Sequence, residues 1–136
     1  MTNVLIVDDH QSFAEALELV LRSTFASAPG NSDVSSKFVR AASVAEGLRL
    51  VSEEGPFDLA VVDLILPDGD GTKVVREIKR RSPGTPVVVL SASEHLSEAL
   101  AAGADEAISK RTRLAEIVAS LARLLGIMDQ SGSQDA

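Results

Sequence analysis

An α/β fold, a doubly wound five-stranded parallel sheet with five helices, is predicted for this chain on three observations. Five short runs rich in Val, Ile and Leu, at residues 4–7, 38–41, 59–66, 86–90 and 106–109, alternate with segments of helical period. Gly, Pro, Ser and Asp punctuate the boundaries between them. At 136 residues with 45% hydrophobic content, the chain suits one compact domain with a real core.

The first run leads into a helix whose inner face carries Phe13, Leu17, Val20 and Leu21, and Ser12 with Glu15 has the capping-box spacing that would start it. Residues 26–36 are polar, contain Gly and Pro, and form a long connection expected to be mobile. The second helix repeats the device, with Ser43 and Glu46 ahead of Val44, Leu48 and Val51, and Gly55-Pro56 as its stop. A third opens near Gly71-Thr72, turns Val74, Val75 and Ile78 inward, and ends in Lys79, Arg80 and Arg81, where cations suit the helix dipole. An alanine-rich fourth helix is expected over 94–102. The fifth, over 113–128, places apolar residues at 114, 117, 118, 121, 124, 125 and 128, more than one sheet face needs. Residues 129–136 have linker composition, which divides the chain into a domain of residues 1–128 and a flexible tail or linker to a further domain.

Lys and Arg number 13 against 20 Asp and Glu, a net charge of −7 that argues against direct nucleic-acid binding by this segment. Without cysteine the fold uses neither disulfides nor a thiolate metal site. No apolar run approaches the ~20 residues that span a bilayer, and Met1-Thr2-Asn3 carries no basic leader, so a cytoplasmic, membrane-free protein is expected.

In an open parallel sheet, ligands sit outside the carboxyl ends of the strands where the strand order reverses. Asp8 and Asp9 follow the first strand, and Asp63 follows Leu59-Ala60-Val61-Val62. In the flavodoxin-like order 2-1-3-4-5 strands one and three are neighbours, and the three carboxylates converge. Like charges at that range either lose one member to protonation or take up a cation. A few oxygen donors suit Mg2+, and a carboxylate beside such a metal can accept a phosphoryl group. Lys110 after the fifth run would add a cation for phosphoryl oxygens, and Ser91 after the fourth a hydroxyl.

Four segments then stand in order: Val4-Leu5-Ile6-Val7-Asp8-Asp9-His10, Val61-Val62-Asp63-Leu64-Ile65-Leu66-Pro67-Asp68-Gly69-Asp70-Gly71, Val89-Leu90-Ser91-Ala92, and Gly103-Ala104-Asp105-Glu106-Ala107-Ile108-Ser109-Lys110. Together, over roughly residues 3–126, they resemble the receiver domains of two-component response regulators. The resemblance implies that Asp63 accepts phosphate from a sensor histidine kinase. It implies Mg2+ held by Asp8, Asp9, Asp63 and the main-chain carbonyl of Ile65, with Ser91 as switch hydroxyl and Lys110 as the phosphoryl-pairing lysine. Such a domain is no enzyme beyond its own phosphorylation and slow dephosphorylation. It signals, and can form a homodimer, through the fourth helix, fifth strand and fifth helix. The Asp-Asp-His start is similar to receivers that precede a LuxR-type helix-turn-helix domain, so a transcription-regulating output domain absent from this chain is an expectation. Two positions depart from the pattern. Ala107 stands where the family has an aromatic residue that couples site to surface, and Arg111 stands where Pro often follows the lysine, so a trans Lys110–Arg111 bond is expected.

Plainer readings compete. Asp8-Asp9 alone is a solvated turn or helix cap, which Asp63 at the matching strand end outweighs. Asp68, Gly69, Asp70 and Gly71 lack the bidentate Glu of a calcium loop and read as turn formers. Arg76, Lys79, Arg80 and Arg81 read as a solvated helix face. His10 and His95 receive no role, and Leu121, Leu125 and Met128 could meet a partner. A magnesium-dependent phosphatase resembling the haloacid-dehalogenase family would need Asp at position 65, which is Ile. The alternative to a phosphorylated switch is a receiver-like binding module that works without phosphate.

Overall fold

The computed structural model describes residues 2–27, 36–92 and 96–126. In chain order the elements are β1 (Thr2–Val7), α1 (Gln11–Ser27), β2 (Ser36–Ala41), α2 (Val44–Glu54), β3 (Leu59–Val62), β4 (Ile65–Leu66), β5 (Gly69–Asp70), α3 (Thr72–Arg81), β6 (Val87–Ser91), α4 (Leu96–Ala101), β7 (Glu106–Ser109) and α5 (Leu114–Leu124). Five strands pair in parallel in the order β2-β1-β3-β6-β7, while β4 and β5 form a separate antiparallel hairpin. Setting that hairpin aside, this is the predicted order, reversing at β1 and β3.

Every residue of β3 and β6 is buried, which is why these strands read as unbroken apolar runs. Alternate side chains divide the core in two. Leu5, Val7, Ala60, Val62, Val87 and Val89 meet Val44, Val51, Val74, Val75, Ile78 and Ala99 from α2, α3 and α4. Val4, Ile6, Leu59, Val61, Val88 and Leu90 meet Leu17, Leu21, Phe25, Ile117 and Leu121 from α1 and α5. The register pairs Val7 with Val62, so Asp8 and Asp63 leave the sheet side by side, and Asp63 N–H donates to the Val7 carbonyl at 2.9 Å.

Several local expectations change. The third strand was expected to run to residue 66, but it ends at Val62: Leu64 turns away, its carbonyl accepts from Gly71 N–H at 2.8 Å, and Ile65–Leu66 pairs back on Gly69–Asp70. Ser12 does not cap α1; it lies inside the helix, whose first turn is closed by Ala14 N–H donating to the His10 carbonyl. Ser43 does cap α2, accepting from Glu46 N–H at 3.1 Å, and Asp68 adds a second cap from across the fold. Its carboxylate accepts from Val44 N–H at 2.7 Å and Ala45 N–H at 3.0 Å, which holds its pKa below the ordinary 3.8. Lys79 is not simply solvated: it donates to the Thr85 carbonyl at 2.7 Å and pairs with Asp105 at 2.8 Å. Arg80 and Arg81 both bind Glu77, whose carboxyl falls to about 2 under their hydrogen bonds.

α5 ends at Leu124 rather than 128; Leu125 N–H closes the last turn on Leu121 and Gly126 follows at φ +78°. Leu121 is fully buried, and Leu124 and Leu125 pack on the α1–α5 side of the core, so Leu121 has no surface left for a partner. The one cis bond among the described residues is Gly55–Pro56, so Lys110–Arg111 is trans as expected. Among the described residues no helix is long and apolar enough to cross a membrane. Of the loop predicted over 26–36, residues 26 and 27 end α1 and residue 36 opens β2, while 28–35, like residues 94 and 95 of the fourth helix, Met128 and the 129–136 tail, lie outside the described residues.

Gly71 is fixed by close approach: a Cβ there would stand 1.9 Å from the Asp63 carbonyl oxygen. Gly71→Ala is expected to lower the stability in urea unfolding by about 1–3 kcal/mol, the usual range for overpacking; wild-type stability would contradict the contact. Asp68→Ala is expected to lower the melting temperature at neutral pH. Because the folded pKa lies below 3.8, the cap's contribution is present above that value and is lost as pH falls through the lowered one, so the two melting curves should converge in acid.

Candidate acidic site at the strand ends

The site lies at the carboxyl edge of the sheet, where β1 delivers Asp8 and Asp9, β3 delivers Asp63 and β7 delivers Lys110. Asp8 and Asp63 are buried, and the Asp9 side chain is 36% exposed. Together with His10, their candidate ligand atoms all fall within 4.8 Å of one another. Asp63 is held in place from its own backbone: one carboxylate oxygen accepts from Ile65 N–H at 3.1 Å, leaving the Ile65 side chain outside and 60% exposed.

Lys110 provides the opposing charge. It leaves β7 at a point fixed by its N–H donating to the Ser91 carbonyl at 3.1 Å, and its side chain is only 12% exposed. The ammonium reaches Asp8 at 2.7 Å and Asp63 at 3.1 Å, and sits 4.6 Å from the centre of the Phe13 ring. A solvated strand-end lysine would make none of these contacts. With three carboxylates and one ammonium the cluster keeps a negative excess, so it retains room for a further cation.

Ser91 is the last residue of β6, fully buried and paired in register with Ser109. His10, to which the sequence assigned nothing, stands in the cluster. Its Nδ1 lies 3.1 Å from Asp8, 3.6 Å from Asp9, 3.7 Å from Asp63 and 3.2 Å from Lys110 Nζ. The adjacency Asp-Asp-His was the available signal, but only the Asx turn, in which Asp8 accepts from His10 N–H at 2.8 Å, brings the ring back over the carboxylates. A cleft of about 280 Å³ opens beside Asp8 and Asp9 and is bordered by Arg40 and Glu46.

This sheet, with acidic groups and a lysine gathered at its carboxyl edge, defines a receiver of two-component signalling. Residues 4–122 match the response regulator receiver domain family, and the chain belongs to it. It is 37% identical over 126 residues to the response regulator protein PilR of Pseudomonas aeruginosa, covering 88% of this chain and 26% of PilR. It is 36% identical over 124 residues to the KDP operon transcriptional regulatory protein KdpE of Escherichia coli, covering 89% of this chain and 50% of KdpE. The chain thus spans half or less of these relatives. Among solved structures, a CheY-like response regulator receiver domain protein from Methanospirillum hungatei superimposes with a TM-score of 0.76 at 25% identity, covering 96% of this chain and 98% of that one. The non-phosphorylated HemR receiver domain from Leptospira biflexa gives a TM-score of 0.75 at 26% identity, covering 92% and 94%.

Removing one member should relieve the repulsion in the cluster. Asp63→Asn keeps the side-chain size and leaves Lys110 paired with Asp8. Without divalent cations the variant is expected to melt at or above the wild-type temperature, checked by circular dichroism; a clear loss of stability would show that Asp63–Lys110 pairing outweighs the repulsion.

Proposed function

We propose that this receiver is a cytoplasmic phosphorylation-operated switch in which Asp63 accepts the phosphoryl group of a sensor histidine kinase. The observation that carries the reading is the convergence of the buried Asp8 and Asp63 on the Lys110 ammonium, with Asp9 beside them in the same cluster. An Asp63 oxygen attacks phosphorus, the O–P bond forms as the donor's P–N bond breaks, and the imidazole leaves with the electron pair. Lys110 meets the charge on the transferred oxygens, and Ser91 offers a hydroxyl at the adjoining strand end.

The donor set fits magnesium: carboxylate oxygens dominate it, the cluster is net negative, and one cation already sits within it. Asp8, Asp9, Asp63 and the Ile65 carbonyl would hold the ion, which when bound neutralises charge on the phosphoryl oxygens. Ile65 stands where a phosphatase of the haloacid-dehalogenase type would need a second Asp, which supports self-phosphorylation and slow self-dephosphorylation as the chemistry of Asp63.

The output reading rests on the relatives. KdpE is a transcriptional regulatory protein longer than this chain, which supports an output domain, absent from this chain, that controls transcription. The face formed by α4, β7 and α5 is the proposed route, with a homodimer through it in the active form. α4 has a single buried residue, Ala99, and is the least anchored helix on that face. Ala107, which lacks a ring to move, favours a second reading: a binding module that works without phosphate.

Intact mass after incubation with acetyl phosphate separates the two. One phosphoryl group gained only with magnesium, and absent in Asp63→Asn, is expected of the switch; no gain in a folded wild type that also fails to bind magnesium would favour the binding module. At magnesium about 100 times its Kd, the wild type should gain about 2.7 kcal/mol of stability, read as a shift in unfolding midpoint. Asp9→Ala should lose that gain.

A further inference from the structure

The phosphoryl-pairing lysine has a neighbour that is neither charged nor polar. Lys110 Nζ touches Asp8, Asp63 and His10, and its remaining side lies 4.6 Å from the ring centre of Phe13. Phe13 comes from the first turns of α1 and is only partly buried, at the margin of the core that α1 and α5 share. Its ring therefore ends against an ammonium rather than against aliphatic side chains alone.

A lysine is a poor fixed group: its stem turns freely and its ammonium is strongly hydrated. Carboxylates alone do not give it one position, because one of its two partners, Asp63, is the group that changes. Once an Asp63 oxygen is bonded to phosphorus, the charge that Lys110 paired with has moved outward. The face of an aromatic ring attracts a cation through its quadrupole, carries no proton to lose, and excludes water on that side. Its pull is the same before and after phosphorylation.

We infer that Phe13 is a positioning residue for the phosphoryl transfer: its ring holds the Lys110 ammonium over the acceptor so that incoming phosphoryl oxygens meet a cation already in place. The inference rests on the proposed roles of Asp63 and Lys110. The competing account is that Phe13 only fills the core margin, which leucine would do equally well.

The test compares the wild-type chain with Phe13→Leu, Phe13→Tyr, Lys110→Ala and the double variant Phe13→Leu/Lys110→Ala, each checked for folding by circular dichroism. Labelling by acetyl phosphate at saturating magnesium is followed by intact mass. Phe13→Leu is expected to slow labelling by about three- to tenfold, between the range of an exposed and that of a fully desolvated cation–π contact, while Phe13→Tyr restores it. In the Lys110→Ala background, Phe13→Leu should change nothing further. Equal labelling by wild type and Phe13→Leu, or an equal loss with and without Lys110, would overturn the inference. A second readout needs no phosphate: the Lys110 side-chain protons should show an upfield ring-current shift in NMR spectra that disappears in Phe13→Leu and persists in Phe13→Tyr. A wild type that shows this shift but takes no label would refute the acceptor role of Asp63 and leave the Phe13–Lys110 contact standing; absence of the shift would refute the contact itself.

Discussion

Three carboxylates held at one edge of the sheet create the constraint that organises this protein. Two like charges about 4 Å apart repel by about 4 kcal/mol at an effective dielectric of about 20, and burial makes escape into solvent costly. A cation must therefore be brought to them, and the topology decides where it comes from. β1 and β3 supply the acids as adjacent strands, β6 separates them from β7, and only a long side chain leaving β7 can reach back across that gap. Lys110 does so at 2.7 Å from Asp8. Strand order, side-chain length and charge balance are here one requirement seen from three directions.

The same constraint explains the small hairpin after the acceptor. Asp63 cannot relax away from the cluster because its main chain is fastened on every side. Its N–H is bonded to Val7, Ile65 N–H reaches its carboxylate, and Gly71 passes so close to its carbonyl that no side chain fits between. Asp68 then ties the hairpin to the start of α2, and Asp70 accepts from Thr72 N–H at 2.9 Å to start α3. The run Pro67-Asp68-Gly69-Asp70-Gly71 is thus a clamp made of turn chemistry, with Asp68 capping α2 and Asp70 closing an Asx turn onto the first residue of α3.

Much of this was legible because the signals were local or periodic. Strand runs at β1, β3 and β6 follow from burial on both faces, and residues just past them are exposed to chemistry by the geometry of any open parallel sheet. Asp8, Asp9, Asp63, Ser91 and Lys110 all fall at strand ends for that reason. What escaped depends on contacts between distant residues. Ser12-Glu15 has capping-box spacing, yet the Asx turn at Asp8 sets the start of α1 two residues earlier. Asp68 caps a helix 23 and 24 residues before it, which no window along the chain can register. His10 joins the cluster only because that same turn folds it back.

Ala107 bears on how a change at Asp63 can reach the outer face. It pairs in register with Val89, is partly buried, and packs on the α2–α3–α4 side of the core alongside Leu96. A methyl group has no second rotamer, so nothing at this position can swing between two states. β7 is also tethered at both ends. Near the site, Lys110 N–H is bonded to Ser91, the end of β6. At the far end, Asp105 exchanges hydrogen bonds with Val87 and pairs with Lys79 of α3 at 2.8 Å. A strand pinned twice to its neighbours transmits little by itself. α4 is the least anchored helix of this face: Ala99 is its single buried residue, and it packs on β7. At Ala107 this face has no buried ring to rotate, and the end of β7 that follows α4 is fixed by the Lys79–Asp105 pair.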